Sequence, residues 1–341
     1  MSLRIKSAFV VLALVLGLVA CGNDDTDESA ASTASAGFPV TIDHLFGSTT
    51  IKAKPERIVA IGGGDMETAI ALGVVPVAGA DWFGYTELRT WVKETLGDRP
   101  APKLVQSFEP NFEEIAALKP DLILYVNSRN DKKQYDTFNG IAPTIAAPAG
   151  TKNTYGVTWQ DQVKTIAKAT GTTAEGDKLI QQTDTLVSDT AKANPEFAGK
   201  VITAGVYSDN AFNAWLPSDP RMRLLQSLGF TVNPKIAALE NGDFYVKLSN
   251  EQLELINADL IFVAAQDQSG KVDPSLTGNA VFNALATVKA KHVAYFGGAP
   301  VINSNSELGQ FASAFSIGGP LGIKYVLSKV VPMLKAVLQG S

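Results

Sequence analysis

Short apolar runs that alternate with helix-like segments constrain the fold of this 341-residue chain more than any other feature. Residues 122–126, LILYV, follow Pro120 and are apolar at every position, which is typical of a strand buried on both faces. Further runs that are mostly apolar occur at residues 57–61, 74–78 and 143–146, with helical patterns between them. Because strands that alternate with helices favour parallel pairing, the predicted fold class is α/β with mostly parallel central sheets.

An internal repeat predicts two similar lobes. Residues 111–123, NFEEIAALKPDLI, align without a gap with residues 249–261, SNEQLELINADLI, and the alignment pairs Asp121 with Asp259. Each copy reads as a capped helix that leads into a core strand. In two-lobed α/β architectures the ligand binds between the lobes, at the carboxyl ends of the strands.

A long helix is predicted between the two halves, over residues 173–194 and ended by Pro195. At 1.5 Å per residue it would be about 33 Å long, the width of a small domain, so it would serve as a strut. Its apolar pairs recur seven residues apart and predict one buried stripe. The predicted lobes are therefore residues 38–172 and residues 195–341, joined by this helix.

The first residues predict an anchor. An eleven-residue apolar run at 8–18 follows two basic residues, which fits the core of a signal peptide and is too short to span a bilayer. Cys21, the only cysteine, follows small residues, as in the bacterial lipobox. We therefore expect residues 1–20 to be a signal peptide and residues 21–37 to be a lipid-bearing cysteine and a flexible tether, because this segment is polar and poor in aromatic residues.

Composition excludes several classes of function. The net charge of −5 gives no general attraction for nucleic acid, and one cysteine cannot form an internal disulfide. Two histidines make a histidine-rich catalytic or metal centre a poor hypothesis. No nucleophile elbow, zincin motif or P-loop is present, and the glycines at 62–64 lack the third glycine of a dinucleotide fingerprint.

Three strings resemble the iron-siderophore substrate-binding lipoproteins of ABC importers: residues 54–60, KPERIVA; residues 71–77, ALGVVPV; and residues 110–124, PNFEEIAALKPDLIL. The resemblance covers nearly the whole mature chain. It implies two α/β lobes joined by a rigid helix, an extracytoplasmic and lipid-anchored monomer, a ferric siderophore as ligand and an ABC permease dimer as partner. It also implies no catalytic activity, no cofactor, and no metal held directly by the protein, since the siderophore holds the iron.

The same resemblance, together with the chemistry of the ligand, selects candidate site residues. Guanidinium groups bind oxygen anions through forked donors, and aromatic rings form the walls of such a site. Arg129 matches an arginine that catecholate binders place in the cleft, and a second cleft arginine falls near 221–223. The expected ligand-binding residues are Arg129, Arg221, Arg223, Trp82, Tyr85, Tyr207 and Trp215. A further arginine of some relatives is absent at 265–267, which disfavours a highly charged catecholate and leaves hydroxamate or mixed ligands.

The repeat also places a glutamate at the same point of each lobe, Glu113 and Glu251. In the family that the chain resembles, glutamates at these positions meet arginine pockets on the two permease subunits, so the resemblance implies a docking role. The alternative is that both only stabilise helix N-termini, where the helix dipole favours negative charge.

Two other functions stay open at this stage. The same superfamily contains haem and cobalamin receptors, and a surface lipoprotein enzyme could use a two-lobed α/β scaffold. The sequence does not name the siderophore or the permease.

Overall fold

The computed structural model describes residues 37–81, 84, 87–317 and 319–339. The predicted signal peptide, Cys21 and nearly all of the tether lie outside these residues, as do Trp82 and Tyr85. No helix within the described ranges combines the length and the apolar character needed to cross a bilayer.

The first lobe is a five-stranded parallel sheet covered by helices, preceded by an antiparallel hairpin. The hairpin strands are β1 (Val40–His44) and β2 (Gly47–Ile51). The sheet strands are β3 (Ile58–Ala60), β4 (Ala78–Asp81), β5 (Lys103–Gln106), β6 (Leu122–Tyr125) and β7 (Thr144–Ala146), in the order β5-β4-β3-β6-β7. The helices are α1 (Asp65–Ala71), α2 (Thr90–Leu96), α3 (Phe112–Ala117), α4 (Lys132–Asn139) and α5 (Trp159–Thr170). All four strand pairs are parallel, as the alternating pattern predicts.

A 20-residue helix, α6 (Thr173–Lys192), connects the two lobes. It ends two residues before the predicted boundary, and a 3-10 helix at Pro195–Phe197 follows it. Its buried stripe is narrower than the sequence pattern predicts: Val187 is buried, whereas Leu186 is 38% exposed. The helix packs against α5 on one side.

The second lobe has a mixed six-stranded sheet. Its strands are β8 (Val201–Ser208), β9 (Ala211–Trp215), β10 (Thr231–Val232), β11 (Tyr245–Leu248), β12 (Leu260–Gln266) and β13 (Val293–Gly297). The order is β11-β9-β8-β12-β13 with β10 beside β8; β9 and β11 are antiparallel to their neighbours and the rest are parallel. Its helices are α7 (Pro220–Ser227), α8 (Pro234–Ala237), α9 (Pro274–Thr277), α10 (Ala280–Ala284), α11 (Ala286–Lys289), α12 (Glu307–Ile317) and α13 (Pro320–Leu338).

The paired aspartates of the internal repeat have the same structural role in both lobes. The Asp121 carboxylate accepts hydrogen bonds from the backbone N–H groups of Glu56, at 2.8 Å, and Arg57, at 2.9 Å. The Asp259 carboxylate accepts one from the N–H of Val201 at 2.8 Å. In each lobe the aspartate thus connects the start of its own strand to the start of the neighbouring strand. The repeat in the sequence is therefore also a repeat in the structure.

The helices of the two repeats differ in type. In the first, Asn111 caps α3 by accepting a hydrogen bond from the Glu114 N–H at 3.1 Å. In the second, the segment Asn250–Ile256 forms a 3-10 helix, and the backbone N–H of Ser249 donates to the side chain of Gln252 at 3.0 Å. Both segments nevertheless begin at the residue that the alignment predicts.

The last helix belongs to both lobes. Helix α13 packs against α1 and α2 of the first lobe and against β12 and β13 of the second. Tyr325 of α13 stacks on Trp91 of α2 with ring centroids 5.6 Å apart. One continuous apolar core therefore includes residues of both lobes, for example Val126 and Phe262.

A buried arginine adds a polar connection between the lobes. Arg89, 2% exposed, donates hydrogen bonds to the carbonyl oxygens of Ser304, at 2.6 Å, and Ile302, at 2.8 Å, in the loop that follows β13. A charged group this deep requires such partners, because burying it without them is costly. Together with α13, this contact holds the two lobes to each other.

Candidate functional site

A cleft of about 530 Å³ lies between the lobes. Its first-lobe wall comes from the segments that follow β3, β5 and β6, and includes Phe108 and Arg129. Its second-lobe wall comes from the segment after β9 and the start of β11, and includes Arg221 and Phe244. In the first lobe these segments follow the carboxyl ends of parallel strands, as the sequence predicts, whereas the second-lobe wall adjoins the antiparallel strands β9 and β11.

Arg129 presents a guanidinium group to this cleft. Its Nε donates a hydrogen bond to the Tyr155 hydroxyl at 3.1 Å, and its guanidinium carbon lies 5.0 Å from the centroid of the Phe108 ring. Burial raises the pKa of Tyr155 to about 12, against the opposing effect of Arg129, so this phenol is neutral at physiological pH. Within the part of the chain that the structure describes, Arg129 forms no ion pair.

Arg221 also lines the cleft, but its charge is already matched. Its Nε and Nη2 donate to the two carboxylate oxygens of Asp219 at 2.8 and 2.6 Å, and its Nη1 donates to the Ser316 hydroxyl at 3.2 Å. The side chain of Asp219 is 1% exposed and that of Arg221 is 13% exposed. Asp219 also caps α7 by accepting a hydrogen bond from the Arg221 backbone N–H. The pair is therefore a fixed part of the cleft wall.

The structure places Trp215 and Tyr207 in the core and not on the cleft surface. Trp215 is 2% exposed, and the Arg221 guanidinium carbon lies 3.8 Å from its ring centroid, so Trp215 supports an arginine of the cleft. Tyr207 is 3% exposed and packs in the same apolar cluster as Ile261 and Val263. Its hydroxyl accepts a hydrogen bond from the Ser275 hydroxyl at 3.3 Å, and no residue of β8 lines the cleft.

Arg223 lies behind the cleft. Its Nη2 donates to the carbonyl oxygen of Gly156 at 2.8 Å, which ties α7 to a loop of the first lobe. It lines a separate pocket of about 210 Å³ with Trp159 and Asp184. Burial lowers the pKa of Arg223, partly offset by nearby carboxylates. Of the two neighbouring arginines, Arg221 therefore lines the cleft, whereas Arg223 connects α7 to a loop of the first lobe.

Several cleft residues carry no decisive signal in the sequence. Phe108 lies two residues after the end of β5, and this position after a strand is the signal that could have indicated it. Tyr155 lies in an irregular loop with a φ of 52°, which no periodic pattern predicts. Asp219 and Asp243 line the cleft, and an acidic residue is not an obvious partner for an anionic ligand.

The floor of the cleft rests on a buried carboxylate. Asp65 accepts hydrogen bonds from the Val126 N–H at 2.8 Å and from the Gln162 side-chain amide at 2.6 Å. Gln162 also donates to the carbonyl oxygen of Gly63, a lining residue, at 2.8 Å. Asp65 therefore connects the ends of β3 and β6 to α5 directly beneath the cleft.

Two carboxyl groups near this floor favour their protonated forms. Burial raises the pKa of Asp65 to about 6 and that of Glu67, which accepts a hydrogen bond from the Trp91 indole at 3.0 Å, to about 7. Both folded-state values lie above the ordinary values of 3.8 and 4.5. Their contribution to stability is therefore complete at low pH and is lost as the pH rises through the folded-state values.

Glu113 and Glu251 lie away from the cleft. Each is the second residue of its helical segment, and each is exposed. Within the described ranges neither forms a hydrogen bond or an ion pair through its side chain. The described residues also contain no group of three or more His, Cys, Asp or Glu side chains that could hold a metal ion.

Comparison with known proteins relates this geometry to a family. The profile of the periplasmic binding protein family matches residues 58–300. The chain is 30% identical over 269 residues to the probable siderophore-binding lipoprotein YfiY of Bacillus subtilis (strain 168), covering 77% of this chain and 79% of that protein. It is 28% identical over 281 residues to the Fe(3+)-citrate-binding protein YfmC of the same organism, covering 82% of this chain and 85% of the relative.

A solved structure agrees in fold. PiaA of Streptococcus pneumoniae TIGR4, crystallised in complex with ferrichrome, superposes with a TM-score of 0.75 at 26% sequence identity, and the match covers 88% of this chain and 99% of that one. The prediction of two α/β lobes with mostly parallel sheets joined by one long helix is confirmed. The extended sequence match and the shared two-lobed architecture lead to one conclusion: the chain belongs to the periplasmic binding protein family.

Proposed function

We propose that this protein is an extracytoplasmic receptor that captures a ferric siderophore and delivers it to the permease of an ABC importer. The observation that carries the proposal is the cleft between the lobes, which combines aromatic walls with guanidinium groups. A volume of about 530 Å³ lies within the usual range for small-ligand sites, and its opening to solvent lets a bulky complex protrude. The names of the relatives, which bind siderophore or ferric citrate, support the same class of ligand.

The residues of the cleft fit a ferric complex that brings its own iron ligands. Arg129 offers donors to the oxygen atoms around the metal, while Phe108 and Phe244 offer apolar contact to the organic backbone. Trp82 and Tyr85 stay predicted ligand contacts that lie outside the described residues. In this proposal the protein binds and releases the complex without changing it chemically.

Delivery requires a membrane location and a docking surface. We propose that lipid on Cys21 anchors the protein to the outer face of the cell membrane, since two or more attached acyl chains hold a protein stably at a membrane surface. We further propose that Glu113 and Glu251 contact the two permease subunits. Their exposure, their matching positions in the two lobes and their lack of partners among the described side chains support this role.

Direct titration tests the proposal. Intrinsic fluorescence of the four tryptophans is followed while a ferric hydroxamate, a ferric catecholate, ferric citrate, haem and cobalamin are added separately to the purified protein. Saturable quenching by a ferric siderophore with a Kd in the micromolar range or below is the expected result. Binding of haem or cobalamin alone would assign the protein to another branch of transport, and binding of none of them would refute the proposal.

The anchor has its own test. The mass of the N-terminal peptide from the membrane fraction is expected to show a modified Cys21 and no residues 1–20. Because modification at this residue is the proposed step, a Cys21→Ala variant should stay unprocessed and unacylated. A Cys21→Ala variant that is processed and anchored as the parent is would contradict the lipobox interpretation.

A further inference from the structure

The charged side chains of the cleft cancel one another. Among the described lining residues there are two arginines, Arg129 and Arg221, and two aspartates, Asp219 and Asp243. Arg221 is bound by both oxygens of Asp219, whose side chain is 1% exposed. The positive charge of Arg221 is therefore neutralised before any ligand arrives.

The two other charged side chains of the cleft, Arg129 and Asp243, form no ion pair with each other, and their charges are opposite. Arg129 donates only to the neutral Tyr155 hydroxyl, and Asp243 accepts a hydrogen bond from the Phe244 N–H at 2.8 Å. Neither forms an ion pair with another described residue. One positive and one negative group thus face the cleft, one from each lobe.

The rest of the described wall is uncharged. Phe108, Tyr155, Phe244, Tyr245 and Ile317 give it an aromatic and aliphatic character. Tyr155 and Phe244 also meet edge to face across the lobes, with ring centroids 5.9 Å apart. Such a wall gains from covering an apolar ligand surface and gives no compensation to a buried charge.

The net charge of a ferric complex depends on the chemistry of its iron ligands. Three singly charged hydroxamates cancel the charge of Fe³⁺ and leave a neutral complex, whereas three doubly charged catecholates leave a trianion. Moving a trianion from water into a cleft without net charge loses hydration that the protein does not replace. A neutral complex loses much less hydration, and Arg129 can still donate to its iron-bound oxygens.

We propose that the cleft selects ferric complexes with little or no net charge, of the tris-hydroxamate class, and that Asp219 sets this selectivity by neutralising Arg221. The inference rests on the proposed function and deepens it. Asp219 is then a specificity residue: it reaches the ligand only through the arginine that it holds. Its buried position makes this neutralisation permanent, unlike that by a mobile surface carboxylate.

The test compares two ligands and four proteins. Fluorescence titration measures the Kd of ferrichrome, a neutral tris-hydroxamate complex, and of a trianionic ferric tris-catecholate for the parent protein, Asp219→Asn, Asp243→Asn and Asp189→Asn. Asparagine keeps the oxygen that caps α7, so Asp219→Asn removes the charge while retaining this contact. Asp243→Asn removes a charge from the half-buried cleft wall and leaves the buried pair intact, which covers the case in which Asp219→Asn does not fold.

The parent is expected to bind ferrichrome at least about tenfold more tightly than the tris-catecholate. In Asp219→Asn and Asp243→Asn, the Kd for the tris-catecholate divided by the Kd for ferrichrome should fall by about tenfold or more, because each variant gives the cleft one net positive charge. Asp189→Asn makes the same change in total charge on the exposed face of α6, where its partner is Lys192, and should leave the ratio unchanged.

Two results would overturn the inference while the proposed function stands. One is a parent that binds the trianion as tightly as ferrichrome or more tightly. The other is a ratio of the two Kd values that changes in neither Asp219→Asn nor Asp243→Asn, or that changes equally in Asp189→Asn. Binding of neither complex, with no ferric siderophore bound at all, would instead count against the proposed function itself.

Discussion

Replacing Arg129 with alanine gives the sharpest test of the cleft. The guanidinium group is exposed, donates one hydrogen bond to Tyr155 and lies over the Phe108 ring. Its Nη groups have no partner among the described residues and are available to ligand oxygens. A hydrogen bond to a charged group contributes about 1.5–3 kcal/mol, so Arg129→Ala should raise the Kd for a ferric siderophore about tenfold to hundredfold.

Stability should change much less than affinity. The residue is exposed, and its contact with Phe108 is worth about 0.5–1 kcal/mol at such a site, so the melting temperature should fall by a few degrees at most. Fluorescence titration gives the Kd and thermal unfolding gives the melting temperature. Arg99→Ala is the matched control, because Arg99 is also exposed and donates only to backbone carbonyl oxygens near the end of α2.

A second substitution separates charge from shape. Arg129→Lys keeps the positive charge and loses the planar fork, so it should recover part of the affinity if the charge matters and little if two-point donation matters. Unchanged affinity in Arg129→Ala, with the melting temperature also unchanged, would show that this arginine is a solvated loop residue and that the cleft binds through other groups.

Three further predictions follow from the same contacts. The free energy of unfolding, measured in urea, should decrease as the pH rises from 4 to 8, since the pKa of Asp65 is raised to about 6 in the folded state. Asp65→Asn should remove about 3 kcal/mol of this decrease. An unaltered pH profile in Asp65→Asn would contradict the assignment. Arg89→Ala should cost about 3 kcal/mol in the same assay because two part-buried carbonyl oxygens lose the donor that the buried arginine supplies, whereas Arg99→Ala should cost little. Combined Glu113→Ala and Glu251→Ala should leave siderophore affinity intact and abolish uptake by cells, and normal uptake at normal expression would remove the docking role.

Much of the fold could be predicted because it depends on local and repeated signals. The apolar run at 122–126 contains β6, an interior strand of the first-lobe sheet, and the repeat that pairs Asp121 with Asp259 becomes two equivalent strand-to-strand ties. Such signals involve neighbouring residues or a simple period, so they are visible in one sequence. The packing of α13 against both lobes is not visible in the sequence, because its apolar stripe could pack against either lobe.

The site could be predicted in part, for reasons that its residues make clear. Arg129 could be predicted because it follows a buried strand and matches an arginine of the family that the chain resembles, and this position brings it to the cleft. Tyr207 also lies at a strand end, but no residue of β8 lines the cleft and its side chain packs in the core. The pairing of Arg221 with Asp219 depends on a turn at the start of α7 and on the depth of burial, and neither is encoded in spacing alone.

The position of α13 has a consequence for biosynthesis. A ribosome delivers the chain from its N-terminal end, so the parts of α1 and α2 that α13 covers stay exposed until the whole second lobe and then α13 have been made. During that interval the strands of the first lobe can pair, yet the lobe lacks the helix that completes its core. Uncovered apolar surface on an unfinished chain is the usual target of chaperones. The protein therefore reaches its native state only after nearly all of it has emerged, and removal of α13 would leave both lobes incomplete.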